Sequence, residues 1–366
     1  MKIMVAYRAI DGIAGGLEKM SNALMNELCA RGHDVHFYTL DNSNAVSYYE
    51  MHESINWHKL NIGEYKNKAS LMTRIKRQLK TYKILKDVKP DIILAFQDGA
   101  FFNTRIASFL CRVPTVLCER ISPQHFDYTS AGRHKNLIWQ LYRVATKITI
   151  QCASYKDMYP THLQKRLVTI PNPVFVASRY ASPSGNNKHK KMLLCAGRFS
   201  YQKNQAILTQ AFLELAKDYP DWELCFAGVG EMEEDIRALC YESSQVKFLG
   251  NVKDMSSLYG ASHLFCLPSL WEGFPNALSE ALAHGLPAIG FAECGGVRDL
   301  IIDGYNGILA EGARDKETLK MSLSKLMRDA RLREVYGENA VESVKRYKED
   351  FIFDQWENFI KDVVNT

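Results

Sequence analysis

The chain has 366 residues, of which 46% are apolar and 24% are charged, and its formal net charge is +5. This composition is that of a soluble globular protein, and the length exceeds one ordinary core, so we expect two domains. Nine cysteines form no C-x-x-C pair, which argues against zinc and favours reduced, packed thiols. No apolar run approaches the roughly 20 residues of a spanning helix, and the first residues resemble a strand rather than a leader, so we expect a cytoplasmic protein.

The first half of the chain predicts buried strands that alternate with helices. Strands are expected at residues 2–7, 35–39, 90–95, 113–118 and 148–152.

Gly15 and Gly16 stand at the turn between the first strand and a helix expected over residues 18–30. Glycines at such a turn let the backbone approach a ligand such as a phosphate. A tight connection with no ligand needs the same small residues, so the pair alone does not establish a site.

Residues 65–86 carry the most uneven charge of the chain. Leu71, Ile75, Leu79 and Tyr82 mark one helical face. Eight basic residues crowd the remainder, opposed by little acid: Lys66, Lys68, Arg74, Lys76, Arg77, Lys80, Lys83 and Lys86. One interpretation is an amphipathic helix that covers the sheet; the other is a surface that docks on anionic lipid headgroups. No nucleic-acid partner is expected, because no reading motif accompanies the charge.

Charged residues also follow the strand at residues 113–118, where Glu119 and Arg120 are found, with His125 a few residues on. Ligands of open α/β sheets bind beyond the carboxyl ends of the strands. A salt bridge and a role in binding both fit Glu119 and Arg120, and the sequence leaves the choice open.

The second half of the chain repeats the alternation of buried strands and helices. A strand at residues 192–196 leads into G-R-F-S-Y-Q-K-N at 197–204 and then into a helix. Arg198 and Lys203 in this loop offer a diphosphate a guanidinium fork and a point charge. Two exposed basic residues in a surface loop would give the same pattern.

The stretch that organises the second half is SLWEGFPNALSEALAHGLP at residues 269–287. A buried strand at 264–267 precedes it, and Pro275 suits the first turn of the helix that follows. Backbone N–H groups at a helix start favour a phosphate. Glu272 in the turn and Glu280 inside the helix are candidates to accept from sugar and ribose hydroxyls; solvated surface glutamates are the alternative.

Two other signals are incomplete. Glu233 stands where a third glycine would complete a dinucleotide fingerprint after Gly228 and Gly230, and no D-x-D pair occurs to hold a metal. We therefore expect neither a dinucleotide cofactor nor a metal.

Together, the two motifs of the second half resemble the signature of glycosyltransferase family 4. Two glutamates enclose GFPNALS, EALAHGLP follows, and G-R…K-N stands upstream at the family's separation. The resemblance implies an α/β protein of GT-B architecture, with two Rossmann-like doubly wound domains facing across a cleft. It implies an acceptor-side domain over residues 1–172, a nucleotide-sugar-binding domain over 173–345, and a C-terminal helix over 346–366 that crosses back to the first domain.

The resemblance also implies roles for individual residues. Arg198, Lys203 and Glu272 would be catalytic, with the two cations neutralising the departing diphosphate. The residues expected to bind the donor are Gly15 and Gly16 over the diphosphate, Asn251 and Val252 beside the base, and Gly273, Phe274, Asn276, Ala277, Leu278 and Glu280 around the helix start. Glu119 and Arg120 stand where many family members place an acceptor-side polar residue, often histidine.

The function implied is retaining, metal-independent transfer of a hexosyl or N-acetylhexosaminyl group. The expected donor is a nucleotide-sugar, with UDP favoured, and no separate cofactor is expected. The expected acceptor is a lipid-linked saccharide of bacterial surface polysaccharide synthesis, which puts the enzyme at the inner face of the membrane, where the basic 66–86 helix would contact anionic lipid. The alternatives are a nucleotide-sugar 2-epimerase of the same architecture and a non-catalytic nucleotide-binding protein.

Overall fold

The computed structural model describes residues 1–13, 15–63, 69–185 and 190–366. The chain divides into two compact units: unit 1 comprises Met1–Pro173 and Asp350–Thr366, and unit 2 comprises Val174–Glu349. Each unit is built on one parallel sheet with the strand order of a doubly wound fold, so the expected α/β fold class is confirmed.

The sheet of unit 1 has seven strands: β1 (Lys2–Ala6), β2 (Asp34–Thr39), β3 (Asn56–Lys59), β4 (Ile92–Phe96), β5 (Thr115–Cys118), β6 (Ile148–Ile150) and β7 (Leu167–Thr169). Their order is β3-β2-β1-β4-β5-β6-β7, and Ile3 of β1 pairs with Val35 on one side and Ile92 on the other. β1 and β4 are apolar nearly throughout, because central parallel strands are covered on both faces.

The α-helices between these strands are α1 (Gly16–Ala30), α2 (Leu71–Val88), α3 (Gln97–Cys111), α4 (His125–Tyr128), α5 (Lys135–Tyr142) and α6 (Thr161–Gln164). α2 begins later than the sequence pattern predicts, because Ser70 caps it by accepting from the amide of Thr73. Lys66 and Lys68 of the predicted basic helix lie outside the described residues.

α2 packs through a different face from the apolar one marked by the sequence. Leu71, Ile75 and Leu79 are 75%, 46% and 65% exposed, whereas Arg77 and Thr81 are buried. Arg77 donates to the carbonyls of residues 62 and 63, and the Thr81 hydroxyl donates to the carbonyl of Arg77. The interpretation of α2 as an amphipathic helix covering the sheet with its apolar row is therefore wrong in its choice of face, because the buried residues are Arg77, Thr81, Leu85 and Val88.

The sheet of unit 2 has six strands: β8 (Lys191–Ala196), β9 (Trp222–Ala227), β10 (Val246–Phe248), β11 (Leu264–Leu267), β12 (Ala288–Phe291) and β13 (Gly307–Ala310). Their order is β10-β9-β8-β11-β12-β13. Its helices are α7 (Gln205–Leu215), α8 (Glu233–Leu239), α9 (Met255–Ala261), α10 (Asn276–Ala283), α11 (Gly295–Leu300), α12 (Lys316–Arg328) and α13 (Ala330–Val344). Leu193, Phe212 and Trp222 are fully buried members of its core.

The last helix, α14 (Glu349–Val364), belongs to unit 1 for all but its first residue. Trp356 is fully buried with its ring 6.2 Å from that of Phe96 at the end of β4. Arg31, which follows α1, donates to Asp354 at 2.7 Å and to Glu357 at 2.8 Å. The end of the chain thus completes the core of the unit with which the chain begins. Across the described ranges, no helix has both the length and the hydropathy needed to cross a bilayer.

Candidate active site

The topology of unit 2 singles out one edge of its sheet. The strand order reverses between the neighbours β8 and β11, and open α/β sheets bind ligands outside the carboxyl ends of the strands at such a switch point. The loop after β8 carries Arg198 and Lys203, and the loop after β11 carries Glu272. The three residues expected to be catalytic therefore belong to the two loops of the switch point.

Lys203 and Glu272 meet across these two loops. Lys203 Nζ donates to Glu272 Oε1 at 2.5 Å, and the same oxygen accepts from the Ser269 hydroxyl at 2.6 Å. Only 18% of the Lys203 side chain and 7% of the Glu272 side chain are exposed, so the pair is largely withdrawn from water. Arg198 is exposed, and its carbonyl accepts from Gln205 Nε2 at 2.9 Å, which fixes the backbone of the loop.

Two further hydrogen bonds join the loops. The amide of Leu270 donates to the carbonyl of Gln202 at 2.8 Å, and Gln202 Nε2 donates to the carbonyl of Trp271 at 2.7 Å. Because Gln202 directly precedes Lys203 and Trp271 directly precedes Glu272, these bonds fix the separation of the charged pair. The pair is thus held in place by backbone groups as well as by its own attraction.

The nearby cysteines are structural. Burial raises the pKa of the Cys195 thiol and of the Cys294 thiol to about 12, so both are neutral near pH 7. Neutral buried thiols next to the Lys203–Glu272 pair provide little solvation, which strengthens the attraction between the two charges. Within the described ranges, no group of three His, Cys, Asp or Glu side chains is placed to hold a metal ion.

A third loop approaches the same edge of the sheet. Gly228, which follows β9, has φ +134°, and a Cβ there would lie 2.3 Å from the carbonyl oxygen of Gly197. Its amide donates to the carbonyl of Gly250 at 2.8 Å, next to the predicted base-binding residues Asn251, which is exposed, and Val252, which is half-buried. The glycine after β9 therefore serves close packing of loops, which explains it without a dinucleotide.

The start of α10 differs in part from the expectation. The amide of Leu278 donates to the carbonyl of Pro275 at 3.0 Å, so the turn itself uses one of the two N–H groups expected to face phosphate. Phe274 is 7% exposed, and its ring contacts that of Tyr347 at 5.5 Å. The expected donor-binding residues that are half-buried here are Gly273, Asn276 and Ala277. The role of the Ala277 amide stays a prediction.

Glu280 is held by a residue that sequence reasoning missed. The hydroxyl of Tyr259, in α9, donates to Glu280 Oε2 at 3.1 Å, and Tyr259 is 1% exposed. Burial raises the pKa of Tyr259 well above its ordinary value, so the phenol keeps the proton that it donates. Its signal in the sequence is weak: a buried tyrosine needs a partner for its hydroxyl, but the sequence does not say which. His284 is buried as expected, with Nδ1 2.7 Å from the carbonyl of Glu280.

In unit 1, Gly15 and Gly16 stand at the start of α1, as the N-cap and the first helical residue. A Cβ on Gly15 would lie 2.1 Å from Glu18 Oε2, so the carboxylate of Glu18 folds back over the helix start. In a capping box, a glutamate at position N3 reaches back to the backbone N–H of the N-cap residue. The expected placement of Gly15 and Gly16 over the donor diphosphate stays a prediction.

Glu119 is buried in unit 1, and its own partners satisfy it. Tyr142 donates its hydroxyl to Glu119 Oε2 at 2.8 Å, and the amides of Arg120 and Ile121 donate to Oε1 at 3.0 and 3.2 Å. Burial raises the pKa of the Glu119 carboxyl above its ordinary value, against the opposing effect of these bonds.

Arg120 is buried too, beneath the C-terminal helix. Its guanidinium lies 5.0 Å from the ring of Trp356 and 5.3 Å from that of Phe96, and it donates to Ile170 O and Thr149 Oγ1, each at 3.2 Å. Neither Glu119 nor Arg120 needs the other side chain as its partner. Their contacts give both residues a structural role, and an acceptor-side role for them stays a prediction.

Comparison with known proteins identifies the family. The description Glycosyltransferase Family 4 matches residues 14–177, and Glycosyl transferases group 1 matches residues 178–343. A protein of Campylobacter jejuni, named GalNAc-alpha-(1->4)-GalNAc-alpha-(1->3)-diNAcBac-PP-undecaprenol alpha-1,4-N-acetyl-D-galactosaminyltransferase, is 25% identical over 100% of this chain and 99% of its own. UDP-Gal:alpha-D-GlcNAc-diphosphoundecaprenol alpha-1,3-galactosyltransferase of Escherichia coli is 26% identical over 77% of this chain and 80% of its own.

A solved structure, the lipopolysaccharide outer core galactosyltransferase WaaB in its apo form, superposes with a TM-score of 0.76. The two chains are 19% identical, and 99% of each is covered. At this identity the likeness concerns the fold, which is the same two-unit α/β fold. With both halves matched by glycosyltransferase families and the fold shared along the whole length, the chain belongs to glycosyltransferase family 4 and is a glycosyltransferase of the GT-B type.

Proposed function

We propose that this enzyme transfers a hexose or an N-acetylhexosamine, with retention of configuration, from a UDP-sugar to a lipid-linked saccharide of bacterial surface polysaccharide synthesis. The observation that carries the proposal is the Lys203–Glu272 pair at the switch point of unit 2, with the exposed Arg198 on the same loop. The names of the relatives support the substrate classes: one includes a UDP-linked donor, and both include undecaprenol-linked acceptors.

Lys203 and Arg198, the two cations of the loop after β8, would stabilise the diphosphate leaving group. A diphosphate offers Lys203 more negative charge than the single carboxylate of Glu272 does, so we expect donor binding to draw Nζ from Glu272 towards the phosphates. Arg198 would bind the same group through its guanidinium fork. These two positioned cations would stabilise the negative charge that develops on the diphosphate as the glycosidic bond breaks. They would thus take the place of a metal ion.

Glu272 would change partner in the same event. When Lys203 turns to the diphosphate, Glu272 Oε1 keeps its bond from Ser269 and regains acceptor capacity for a sugar hydroxyl. The ion pair of the ligand-free enzyme would thus place both side chains in advance, which limits the ordering that donor binding requires.

Glu280 would bind the ribose. The hydroxyl of Tyr259 holds the Glu280 carboxylate in place, and a carboxylate accepts from ribose hydroxyls. The amide of Ala277 at the start of α10 would add a donor to the phosphates.

Retention would follow from attack on the same face of the sugar that the diphosphate leaves. The acceptor hydroxyl would give its proton to the departing phosphate as its oxygen bonds the anomeric carbon. This route needs no protein nucleophile. The most buried carboxylate of the site, Glu272, is already bonded to Lys203 and Ser269, which disfavours its use as a nucleophile.

The lipid-linked acceptor puts the enzyme to work at the inner face of a membrane. We propose that it is peripheral there and contacts anionic lipid through the basic residues of α2.

The test is a reaction of the purified enzyme with UDP-, GDP- and ADP-sugars and an undecaprenyl-diphosphate-linked saccharide, in the presence of a chelator. We expect UDP release that depends on the acceptor, and a product whose anomeric NMR coupling matches that of the donor. Isomerised donor without acceptor would identify a 2-epimerase, and donor binding without UDP release would identify a non-catalytic protein. Inverted product or loss of activity with chelator would refute the mechanism.

A further inference from the structure

The sheet of unit 1 has a switch point of its own. Its strand order reverses between the neighbours β1 and β4, so a ligand of unit 1 is expected outside the carboxyl ends of these strands. The segments that follow the two strands touch there, because a Cβ on Gly99, after β4, would lie 3.5 Å from Arg8 Cδ, after β1. The polar side chains at this edge are therefore candidates for contact with a ligand.

The backbone is strained where β4 ends. Gln97, the first residue of α3, has φ +67°. Of the other described non-glycine residues with positive φ, Lys89 and Arg112 are helix C-caps and the rest are asparagines, which adopt this conformation more readily. A glutamine that begins a helix in the left-handed region has no such local reason. Strain of this kind clusters at functional sites.

His125, the first residue of α4, follows β5, which is the strand next to β4. Its Nδ1 lies 2.8 Å from the carbonyl oxygen of Ser122, and because a carbonyl only accepts, Nδ1 carries the proton. The half-buried ring also packs on that of Phe126, with the two centroids 4.0 Å apart. Nε2 is thus left with a lone pair, and among the residues that the structure describes it has no hydrogen-bond partner.

The imidazole of His125 is mostly neutral near pH 7. Burial lowers its pKa below the ordinary value of 6.5, and the bond to Ser122 and the nearby carboxylate of Asp98 oppose this shift without reversing it. Lys135 and Asp127 also act on the ring, but they pair with each other at 3.4 Å. Asp98 lies in the first turn of α3 and is exposed. A neutral nitrogen and an ionised carboxylate, both able to accept hydrogen bonds, therefore stand near each other at the switch point.

Two groups that accept hydrogen bonds fit a ligand that supplies the donors. Neighbouring hydroxyls of a sugar do so, because one can donate to His125 Nε2 and the next to the carboxylate of Asp98. A phosphate would meet the negative charge of Asp98. A metal ion would lack ligands, since within the described ranges no set of three His, Cys, Asp or Glu side chains is formed. The chemistry of the two groups thus favours a saccharide.

We propose that His125 and Asp98 bind the sugar of the acceptor, each by accepting a hydrogen bond from one of its hydroxyls. The inference rests on the proposed function in that the sugar belongs to the lipid-linked acceptor. The hydroxyls concerned are ones that do not react, because the attacking hydroxyl gives its proton to the departing phosphate. The inference goes further by assigning recognition of the acceptor sugar to side chains other than Glu119 and Arg120.

The first test is saturation-transfer NMR of the full chain with UDP and, as probes, the methyl α-glycosides of glucose, galactose, N-acetylglucosamine and N-acetylgalactosamine. We compare wild type with His125→Gln and Asp98→Asn. The matched control is His162→Gln, which alters an exposed histidine of α6 in the same unit. Because Asp98 and His162 are exposed, Asp98→Asn and the control should melt at the wild-type temperature.

We expect at least one glycoside to bind wild type and the control equally well. It should bind His125→Gln and Asp98→Asn about tenfold more weakly, because each has lost one positioned partner of a hydroxyl. The Kd for UDP, measured by calorimetry, should be the same for all four proteins, since neither residue belongs to unit 2.

The second test is the pH dependence of kcat/KM for an undecaprenyl-diphosphate-linked saccharide. Only the neutral imidazole accepts a hydrogen bond at Nε2, so kcat/KM should fall as pH falls through the pKa of His125, below 6.5. This fall should be absent from His125→Gln. Asp98 favours the protonated ring, so Asp98→Asn should move the fall to lower pH. A purely structural role of either residue would not produce these changes.

Equal glycoside binding by wild type and by both variants would overturn the proposal, and so would the absence of glycoside binding from wild type. An acid fall that persists unchanged in His125→Gln would contradict the role of His125. Glycoside binding that depends on both residues, without transfer from any UDP-, GDP- or ADP-sugar, would refute the proposed function and leave the saccharide site to stand.

Discussion

Removal of Lys203 alone should destabilise unit 2, and neutralising its partner should restore the loss. In Lys203→Met, Glu272 keeps its bond from Ser269 but loses its counter-charge at a site where 7% of its side chain is exposed. Breaking a buried pair by removing one partner costs about 3–5 kcal/mol, and we take about 2–3 because 18% of the Lys203 side chain reaches water. At about 2–4 °C per kcal/mol for a unit of this size, Tm should fall by about 4–12 °C.

The double variant Lys203→Met/Glu272→Gln should regain most of this loss. Glutamine keeps the oxygen that Ser269 bonds and leaves no unpaired charge, so we expect the free energy of unfolding to return within about 1 kcal/mol of wild type. Activity should not return, because the leaving group still lacks one of its two cations; kcat/KM should stay at least about a hundredfold low.

The assays are thermal unfolding and UDP release, measured for Lys203→Met, for Glu272→Gln and for the double variant. Lys316→Met is the matched control, because it breaks a lysine–glutamate pair with Glu214 whose side chains are 34% and 40% exposed. It should shift Tm by no more than about 2 °C. Wild-type turnover in the double variant would show that catalysis needs neither charge, and a wild-type Tm for Lys203→Met would show that the pair is not desolvated.

Further predictions concern the remaining contacts. Arg198→Ala should leave Tm unchanged, because the side chain is exposed, and lower kcat/KM about a hundredfold; full activity would contradict its proposed role. Tyr259→Phe should raise KM for the donor about three- to tenfold and leave KM for a 2′-deoxyribose donor unchanged, because the lost hydroxyl positions Glu280; an equal rise for both donors would refute this. The pKa of Glu357 is lowered to about 2, chiefly by Lys361, so its stabilisation is complete above the ordinary value of 4.5 and is lost as pH falls towards 2. Glu357→Gln should therefore lower Tm at pH 7 but not near pH 2; a difference that persists near pH 2 would contradict the assignment.

The motifs of unit 2 were predictable because they are local. The loop with Arg198 and Lys203 and the loop with Glu272 each follow a short apolar run of the kind that buried parallel strands have. The resemblance to glycosyltransferase family 4 implies the doubly wound order, and that order brings the loops together at the switch point.

What the sequence could not predict depends on contacts between distant segments. The packed face of α2 includes Arg77, which donates hydrogen bonds to carbonyls at residues 62 and 63, and hydrophobic periodicity does not register a buried arginine. Glu119 follows a strand end as a ligand-binding residue would, yet its partner Tyr142 comes from a helix 23 residues later. The bond between Tyr259 and Glu280 joins two helices across a strand and has no sequence pattern of its own.

The placement of α14 has a consequence for how the protein is made. The ring of Trp356 covers Phe96 and the guanidinium of Arg120, but the ribosome delivers it only after all of unit 2 has been synthesised. At about 5–20 residues per second, the nascent first unit waits roughly 10–35 s with that surface open. During this interval the nascent chain exposes an apolar surface that includes the guanidinium of Arg120, and chaperones can bind this surface. Premature termination in the last twenty or so codons should therefore yield a product that aggregates rather than a shortened enzyme.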